Sequence, residues 1–438
     1  MRYLFILFTC VLSSLVFADK TLIIADVHFT PFAQCGKLPL YCSKLNDLEH
    51  ESVSQWSFSE DATPSMYKME TNNFFLTWSL KNLSAELLNE TPQSIFIMGD
   101  LLTHEFSKKF KYYKLFASKK EVSDFEFKTL AYVLLQIQKN FSKSKIYYVL
   151  GNNDTDNGNY NFPTYEWLND VAVEVSKYLP ATYTNDIIWQ FKRGGYYSLP
   201  LNDKLQIIGL NTNVFSSLST DSKSDEVAQQ ELKWLNIELN KLVAQNKKVI
   251  ILQHMPLGAD PYKTSKSGTT VFLLKDKFLQ GYLKLLKKYN KQIVSIYAGH
   301  LHSEYWQNIY GIPVIGTIAL NKLFGNNAGV KLVDYNSVTG KINTFTTYTV
   351  SFVENKPHWN ILYNFPKDYN NTHETIARFI ESFPYDIKES SVKEYRRVYN
   401  GDATKYLQPL INNKYWPIYF CFTKFIESES FNNCLHLK

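Results

Sequence analysis

The chain has 438 residues, of which 45% are hydrophobic and 20% are charged, as is usual for a soluble globular protein. This length allows one large catalytic domain with a smaller appendage, or two domains of average size. The net charge of +6 is mild and scattered, so it does not support nucleic-acid binding, although weak attraction to anionic substrates or membranes fits it.

Residues 1–18 are predicted to be a signal peptide. Arg2 supplies a positive start, an apolar stretch follows, and the segment 16–18 (Val-Phe-Ala) suits cleavage. A membrane anchor needs about 20 apolar residues, and the charged pair at positions 19–20 comes too early for one. We therefore expect export to the exterior, the periplasm, or a lysosomal or vacuolar lumen.

Cysteine usage fits export. Cys10 leaves with the signal peptide, and an even number of closely spaced cysteines in an exported chain favours two disulfides, although four cysteines permit three connectivities. The remaining four are Cys35, Cys42, Cys421 and Cys434. Sequons predict a glycoprotein if the host glycosylates; they lie at Asn82, Asn89, Asn140, Asn153 and Asn370.

Strands and helices are predicted to alternate along residues 20–320. Six continuous apolar runs are typical of strands buried on both faces. They are "TLIIAD", "SIFIMGD", "IYYVLGNND", "LQIIGLNTN", "KVIILQHMP" and "IVSIYAGHLH". Apolar residues spaced three and four apart predict helices over 74–90, 125–141, 224–245 and 278–289. The alternation indicates a layered α/β domain, whose number of sheets periodicity leaves open.

Two other stretches have a different character. Residues 43–70 show no periodicity and are expected to form a surface loop near the functional site. The segments 364–383 and 390–400 have amphipathic helical patterns. We therefore predict a catalytic domain over 19–350 and a helical C-terminal extension over 351–438, whose end is stapled by the second cysteine pair.

Five of the six apolar runs end in residues that bind metals. Ligand sites in open α/β sheets lie beyond the carboxyl ends of strands. A single histidine at such an end is usually a surface residue, but five of the nine histidines fall in these motifs. The candidate ligands are Asp26, His28, Asp100, Asn152, His254, His300 and His302. The same motifs also contain His104, Asn153 and Asp154, of which Asp154 is expected to orient its loop.

The number and type of these side chains indicate a two-metal site. Oxygen and imidazole donors without cysteine suit Zn²⁺, Fe or Mn, with zinc expected here. The candidate ligands are too many for one tetrahedral ion but fit two ions that share a bridging carboxylate. Paired metals polarise a phosphoryl oxygen and generate a hydroxide nucleophile, so the site predicts phosphoester hydrolysis.

The motifs D-x-H, G-D, G-N-x-D, a lone histidine and G-H-x-H, in this order, resemble those of the calcineurin-like metallophosphoesterases. The resemblance implies a four-layer α/β/β/α sandwich with two metals at one edge. By that match Asp26, His28 and His302 hold one metal. Asn152, His254 and His300 hold the other, and Asp100 bridges the two.

Further features resemble the acid sphingomyelinase-like phosphodiesterase branch of this family. They are the signal peptide, "GDLLTH", "GLNTN" and the late cysteine pair. The resemblance implies that His104 lies beside the reaction centre, where an imidazole can protonate the leaving alkoxide. A packing role is the alternative for His104. We expect a monomer that hydrolyses a phosphodiester, from a phospholipid head group or a nucleotide-like substrate, with at most peripheral membrane contact.

This sequence departs from the branch at Asn153, where relatives have a histidine that assists catalysis. An amide can hydrogen-bond a phosphoryl oxygen but cannot exchange a proton. The G-N-N-D sequence also resembles that of exported endopolyphosphatases, whose phosphate leaving group needs little protonation. The alternatives are therefore a phosphodiesterase, an endopolyphosphatase-type hydrolase, and a non-catalytic metal-binding scaffold.

Overall fold

Twelve strands among the described residues build two six-stranded sheets. The structure is a computed structural model that describes residues 18–35, 42–58, 63–65, 68–369, 398, 401–402 and 415–436. The strands are β1 (Ala18–Ile24), β2 (Ser94–Ile97), β3 (Lys145–Tyr148), β4 (Tyr197–Pro200), β5 (Leu205–Gly209), β6 (Lys248–Leu252), β7 (Ile293–Ala298), β8 (Trp306–Ile309), β9 (Ile312–Gly316), β10 (Ala328–Asn336), β11 (Ile342–Val353) and β12 (Lys356–Phe365).

The first sheet has the order β12-β11-β10-β1-β2-β3, and the second has the order β4-β5-β6-β7-β9-β8. The strands β1, β2 and β3 are parallel to one another, as are β5, β6 and β7. These six are the six predicted apolar runs. Because parallel strands end at a common edge, each sheet brings the residues that follow its parallel strands together.

Helices flank the sheets, and one of them, α8 (Pro261–Ser267), lies at the edge where the strands end. They are α1 (Ser43–His50), α2 (Asn73–Glu86), α3 (Phe106–Tyr113), α4 (Lys119–Asn140), α5 (Tyr165–Ser176), α6 (Thr184–Phe191), α7 (Ser222–Ala244), α8 (Pro261–Ser267), α9 (Asp276–Lys288), α10 (Trp416–Lys424) and α11 (Ser428–His436). The sheets face each other, since the rings of Phe96 and Tyr297 lie 5.8 Å apart. The predicted layered α/β/β/α architecture is confirmed. No helix among the described residues is long and apolar enough to cross a bilayer.

Two predictions differ from the structure. The stretch 43–70 is not loop throughout, because it begins with α1, whose Leu45 and Leu48 are buried. The expected helical extension from residue 351 begins instead with strand, since β11 and β12 pair over 345–365 as a hairpin. The hairpin strands have mixed polar and apolar residues and lack the continuous apolar runs by which the other strands were found.

The described part of the C-terminal tail is helical and packs near the site. Disulfides join Cys35 to Cys42 and Cys421 to Cys434, and the second one links α10 to α11. Gln307 of β8 donates hydrogen bonds to the carbonyls of Leu257 and Phe422. Most of the predicted signal peptide (1–17) and the helical patterns over 370–397 lie outside the described residues.

A buried glutamate connects α7 to the end of β5. The Glu231 side chain is fully buried, and one carboxyl oxygen accepts a 2.8 Å hydrogen bond from the backbone nitrogen of Asn211. Burial raises the pKa of Glu231 to about 8, and the hydrogen bond from Asn211 opposes this only in part. The folded protein therefore keeps this carboxyl protonated at a pH where the unfolded chain has lost the proton.

Replacing this residue should reduce the pH dependence of stability. Between the unfolded pKa near 4.3 and the folded value, only the folded state binds the proton, so stability falls as the pH rises. Glu231 should make the unfolding free energy of the parent about 2–3 kcal/mol lower at pH 7 than at pH 5, and we expect Glu231→Gln to lack this part of the decrease. Denaturant unfolding at both pH values measures this, with the exposed Glu226→Gln on the same helix as control. Equal pH slopes in parent and variant would contradict the assignment.

Candidate metal centre

The carboxyl ends of five strands meet at one edge of the sandwich and carry the predicted metal-binding side chains there. These strands are β1, β2 and β3 of the first sheet and β6 and β7 of the second. All but one of the seven candidate ligands are buried, and His300 is partly exposed. The seven are Asp26, His28, Asp100, Asn152, His254, His300 and His302.

Five of these residues have left-handed backbone conformations. The φ angles are 50° at Asp26, 45° at His28, 54° at Asp100, 70° at His300 and 57° at His302. Residues other than glycine seldom adopt positive φ, and such strain persists where the surrounding structure imposes it, commonly at functional sites. The backbone is therefore locally strained at the positions that place these side chains at the sheet edge.

The first predicted ligand group comes together at the end of β1. The Nε2 atoms of His28 and His302 lie 3.1 Å apart. Nε2 of His302 is 3.5 Å from a carboxylate oxygen of Asp26. The same carboxylate accepts two 3.0 Å hydrogen bonds from the backbone nitrogen of His300, which ties β1 to the loop after β7.

The second predicted group meets on the other side of Asp100. Nε2 of His254 lies 2.9 Å from Oδ1 of Asn152 and 3.2 Å from Nδ1 of His300. The carbonyl of Met98 lies 2.6 Å from Nδ1 of His254, which leaves Nε2 directed into the centre. A backbone carbonyl on the distal ring nitrogen is the usual way in which a ligating histidine is oriented.

Asp100 lies between the two groups. Its Oδ2 atom is 3.4 Å from Nε2 of His28 and 3.4 Å from Nε2 of His254. Donor atoms of Asp26, His28 and Asp100 lie within 4.8 Å of one another, as do those of Asp100, His254 and His300. The two clusters share Asp100, which is the arrangement a bridging carboxylate requires.

The electrostatics of the cluster suit cation binding. Burial lowers the pKa of His28 and of His300 well below the usual value, and it lowers that of His302 to about 3. Burial also lowers the pKa of His254, but the Asp100 carboxylate outweighs this effect and raises it to about 9. Neutral imidazoles donate a lone pair to a metal, and a dication beside Asp100 would take the place of the His254 proton. The donor set therefore fits divalent metal ions.

Asp154 fastens the loop after β3 to the loop after β2. One carboxylate oxygen accepts hydrogen bonds from the backbone nitrogens of Leu101 (2.9 Å) and Leu102 (3.0 Å). The other accepts from the Tyr148 hydroxyl (2.8 Å) and the Gly151 backbone nitrogen (3.0 Å). The side chain thus satisfies four buried donors from two loops and fixes the spacing between Asp100 and Asn152.

Two glycines allow the loop after β2 and the loop after β3 to approach each other closely. Gly99 has a φ of 85°, and a Cβ atom on it would lie 2.4 Å from the Gly151 nitrogen. A Cβ atom on Gly151 would lie 1.9 Å from the Asp100 nitrogen. Any other residue at either position would push the loops apart, so the G-D and G-N motifs need their glycines for steric reasons.

Asn153 contacts the carboxylate of Asp100 and is not among the residues that line the pocket. Its backbone nitrogen and its side-chain nitrogen each donate a 2.8 Å hydrogen bond to Asp100, one to each carboxylate oxygen. Only 7% of the residue is exposed, so the predicted sequon at this position is closed to a glycan in the folded chain. The side chain therefore acts on the centre through Asp100 in this structure.

His104 lies beside the first ligand group and lines the pocket above it. Its ring stacks on that of His28 with centroids 4.0 Å apart. Glu70 accepts a 2.8 Å hydrogen bond from the His104 backbone nitrogen, and the same oxygen lies 3.0 Å from Nδ1. With Nδ1 directed at Glu70, Nε2 is the ring nitrogen that remains for the pocket.

Glu70 is held as an anion by its neighbours. Its second oxygen accepts hydrogen bonds from the Thr103 hydroxyl and the Lys109 ammonium. Burial would raise the pKa of Glu70, but the hydrogen bonds and the charge of Lys109 outweigh it and lower the value to about 2. The His104 ring is therefore oriented by a carboxylate that stays ionised in mildly acidic solution.

The pocket wall contains residues that the motifs did not reveal. Aromatic side chains of Tyr160, Tyr262 and Phe324 line it, together with Lys263 and Asp260. Glu70 was also missed, since it ends the stretch without periodicity. These residues lie in loops or at the short helix α8, where no regular spacing marks them. Spatial proximity alone identifies them.

Comparisons with known proteins place this geometry in context. The sequence model of the family described as calcineurin-like phosphoesterase matches residues 20–304. The chain is 21% identical over 328 residues to the acid sphingomyelinase-like phosphodiesterase 3b of Mus musculus, with 68% of each protein covered. It is 23% identical over 205 residues to the cyclic GMP-AMP phosphodiesterase SMPDL3A of Bos taurus, which covers 43% of this chain and 44% of that relative.

A solved structure is similar over most of the chain. A dimetal phosphatase from Danio rerio aligns with a TM-score of 0.46 at 11% identity. The alignment covers 76% of this chain and 95% of that protein.

Disrupting the Asp154 contact should weaken metal binding without removing a ligand. In Asp154→Asn an amide nitrogen would face the Gly151 and Tyr148 donors, so the loops would separate. Loss of such supporting contacts typically costs about 10- to 100-fold in metal affinity. We expect this loss for Zn²⁺, measured by competition with a chelator. The control is Asp156→Asn in the same loop, whose carboxylate instead binds Thr164 at the start of α5. Equal affinity in both variants would refute the role of Asp154.

Proposed function

The chain belongs to the calcineurin-like phosphoesterase family, and on that premise we propose that it is an exported phosphodiesterase with two divalent metal ions. One observation carries the proposal. Asp100 stands between two clusters of imidazole and oxygen donors, with its Oδ2 atom 3.4 Å from a histidine of each. A single metal ion would occupy only one of these two donor clusters and would leave the other without a bound cation.

The two groups would hold the ions as the resemblance implies. Asp26, His28 and His302 bind one ion, Asn152, His254 and His300 bind the other, and Asp100 binds both. Zinc suits this mixture of imidazole and oxygen donors, with iron or manganese as alternatives. Two bound cations supply Lewis-acid polarisation of the phosphoryl group and activation of water.

The protein's own residues have separate tasks in the reaction. Asn153 orients the Asp100 carboxylate by donating to both of its oxygens. His104 delivers a proton from Nε2 to the oxygen of the leaving group, while Glu70 holds Nδ1 and keeps the ring facing the pocket. Because an amide cannot transfer a proton, His104 is the proton donor in a site where relatives can use two histidines.

The wall of the pocket favours a diester with a planar or apolar group next to the phosphate. The rings of Tyr262 and Phe324 lie 6.0 Å apart, and the Phe324 ring is 6.2 Å from that of His104. Such rings suit a nucleobase or another group with an apolar face. Lys263 adds one positive charge for a phosphate. A nucleotide-like phosphodiester or a phospholipid head group fits this setting, as the names of the relatives also suggest.

An endopolyphosphatase-type hydrolase is the second candidate, because Asn153 replaces a proton-transfer histidine. A polyphosphate chain needs a succession of cations along its path. Among the described pocket-lining residues the lysine is Lys263, and Asp260 lies beside it with Oδ2 3.4 Å from Nζ. The wall therefore favours the diester.

Export is also part of the proposal. Two disulfides and the predicted signal peptide support an oxidising compartment outside the cytosol. We propose that the chain acts there as a monomer.

Removing the shared carboxylate is the test of the proposed function. We expect the parent, loaded with Zn²⁺, to cleave an aryl phosphodiester and nucleotide-like diesters, and Asp100→Ala to lose at least about 10³-fold in kcat/KM, because both ions lose a ligand. Initial rates with these diesters and with polyphosphate measure this. Efficient cleavage of polyphosphate alone would select the second candidate. An inactive parent that still binds two zinc ions would indicate a scaffold.

Removing the proposed acid should discriminate between leaving groups. We expect His104→Gln to lower kcat about 10²- to 10⁴-fold for a diester with an alkyl leaving group, which needs a proton. An aryl leaving group needs none, so its kcat should fall less than about tenfold. Glu70→Gln should show the same preference to a smaller degree, because its amide still meets the ring. An equal loss on both substrates would assign His104 a structural role.

A further inference from the structure

The end of α3 and the turn that joins it to α4 carry apolar side chains that are exposed to solvent. Phe116 is 94% exposed, Leu115 is 56% exposed and Tyr112 is 46% exposed. Single exposed apolar residues are common on protein surfaces, but three so close together in the chain are unusual. We call residues 112–116 the apolar tip.

The apolar tip is held firmly from behind. Phe106 and Phe110 on α3 are buried, and the Phe110 ring lies 5.2 Å from Phe125 of α4. The turn itself is closed by a 3.0 Å hydrogen bond from the Ala117 nitrogen to the Lys114 carbonyl. Ser118 then begins α4 with a reciprocal capping box. Leu115 and Phe116 therefore project from an ordered turn whose neighbours are fixed in the core.

Ion pairs also connect the turn to the neighbouring helices α1 and α4. Nζ of Lys114 lies 2.7 Å from Glu49 of α1 and 2.8 Å from Glu121 of α4. These contacts hold the base of the apolar tip between two helices. The exposure of Phe116 is thus a consequence of the fold, and none of the residues that the structure describes covers its ring.

Two lysines beside the apolar tip have no acidic partner among the described residues. Six lysines lie between positions 105 and 124, and acidic side chains pair with four of them, Lys108, Lys109, Lys114 and Lys120. Lys111 and Lys119 remain to supply positive charge beside the tip. Basic residues around an apolar projection match a surface that is anionic at its boundary and apolar beneath.

We propose that the apolar tip docks the protein on an anionic phospholipid bilayer, with Leu115 and Phe116 entering the acyl boundary and with Lys111 and Lys119 facing the lipid head groups. The inference does not depend on the proposed catalytic function. It gives a location to the peripheral membrane contact that the charge of the chain allows.

The shape of the apolar tip favours a bilayer over a second protein. A stable protein interface buries at least about 1,000 Å² across well-fitted surfaces. Two projecting side chains with two lysines beside them offer far less complementary surface than that. A bilayer needs no shape complementarity, and insertion of a few apolar side chains together with basic residues supports reversible binding.

The position of the apolar tip links docking to the active site. Helix α3 begins at Phe106, two residues after His104, and its eight residues span about 12 Å. Docking would therefore bring the membrane surface to within roughly one short helix length of His104. Substrates at or near that surface would be favoured.

Vesicle co-sedimentation of the full zinc-loaded protein tests the proposal. We expect binding to phosphatidylcholine vesicles that contain about 30% phosphatidylserine, little binding to pure phosphatidylcholine, and weakening as salt is raised. The double variant Leu115→Ser with Phe116→Ser should lower the bound fraction at least about fivefold, because the inserted apolar area is lost. Lys111→Gln with Lys119→Gln should weaken binding chiefly at low salt.

A matched control separates the apolar tip from general surface hydrophobicity. Ile237 on α7 is 66% exposed, and Ile237→Ser should bind vesicles like the parent. Turnover of a soluble aryl diester should be unchanged in all these variants, which shows that they fold. Absence of binding by the parent, or equal binding by the double variant, would overturn the proposal. If the parent instead forms a dimer and does not bind vesicles, and the double variant is a monomer, the apolar tip would contact a second copy of the chain and not a bilayer.

Discussion

The candidate metal centre depends on one buried carboxylate that is not itself a candidate ligand. Asp154 accepts hydrogen bonds from two backbone nitrogens of the loop after β2, and from a backbone nitrogen and a hydroxyl at the end of β3. Gly99 and Gly151 let these loops approach until no Cβ atom would fit between them. The spacing between Asp100 and Asn152, and with it the distance between the two ligand groups, follows from this contact.

The same organisation explains why the chain tolerates strain at this edge. Five candidate ligands have positive φ, which costs energy for residues with side chains. The cost is offset because each loop is fixed by buried hydrogen bonds: Asp26 accepts from the His300 backbone, and Asp100 accepts from Asn153. Donor atoms are thereby arranged before a metal arrives, which reduces the reorganisation that binding requires. Strain and preorganisation are two consequences of one set of contacts.

Around this centre, the pocket wall is formed by residues on loops and at the short helix α8. Glu70 orients His104 from a segment distant in sequence, and Tyr262 with Phe324 forms an aromatic wall. Loops on a rigid scaffold are where specificity usually resides. The replacement at Asn153 changes the centre in another way, because its amide braces the bridging carboxylate and cannot exchange a proton. Leaving-group preference is therefore expected to rest on His104.

The sequence by itself was sufficient to predict the six buried parallel strands and the candidate ligands that follow five of them. Buried parallel strands are continuous apolar runs, and the residues that end them must meet at one edge, so Asp26, Asp100 and His254 could be found without coordinates. Glu70, the hairpin of β11 and β12, and the contact of Asn153 with Asp100 were decided only by the tertiary structure. Their positions depend on packing between segments far apart in the chain, and no local periodicity records such packing. The pattern of apolar residues along the sequence predicts the buried strands. The contacts between loops depend instead on how the two sheets pack, which brings distant segments together.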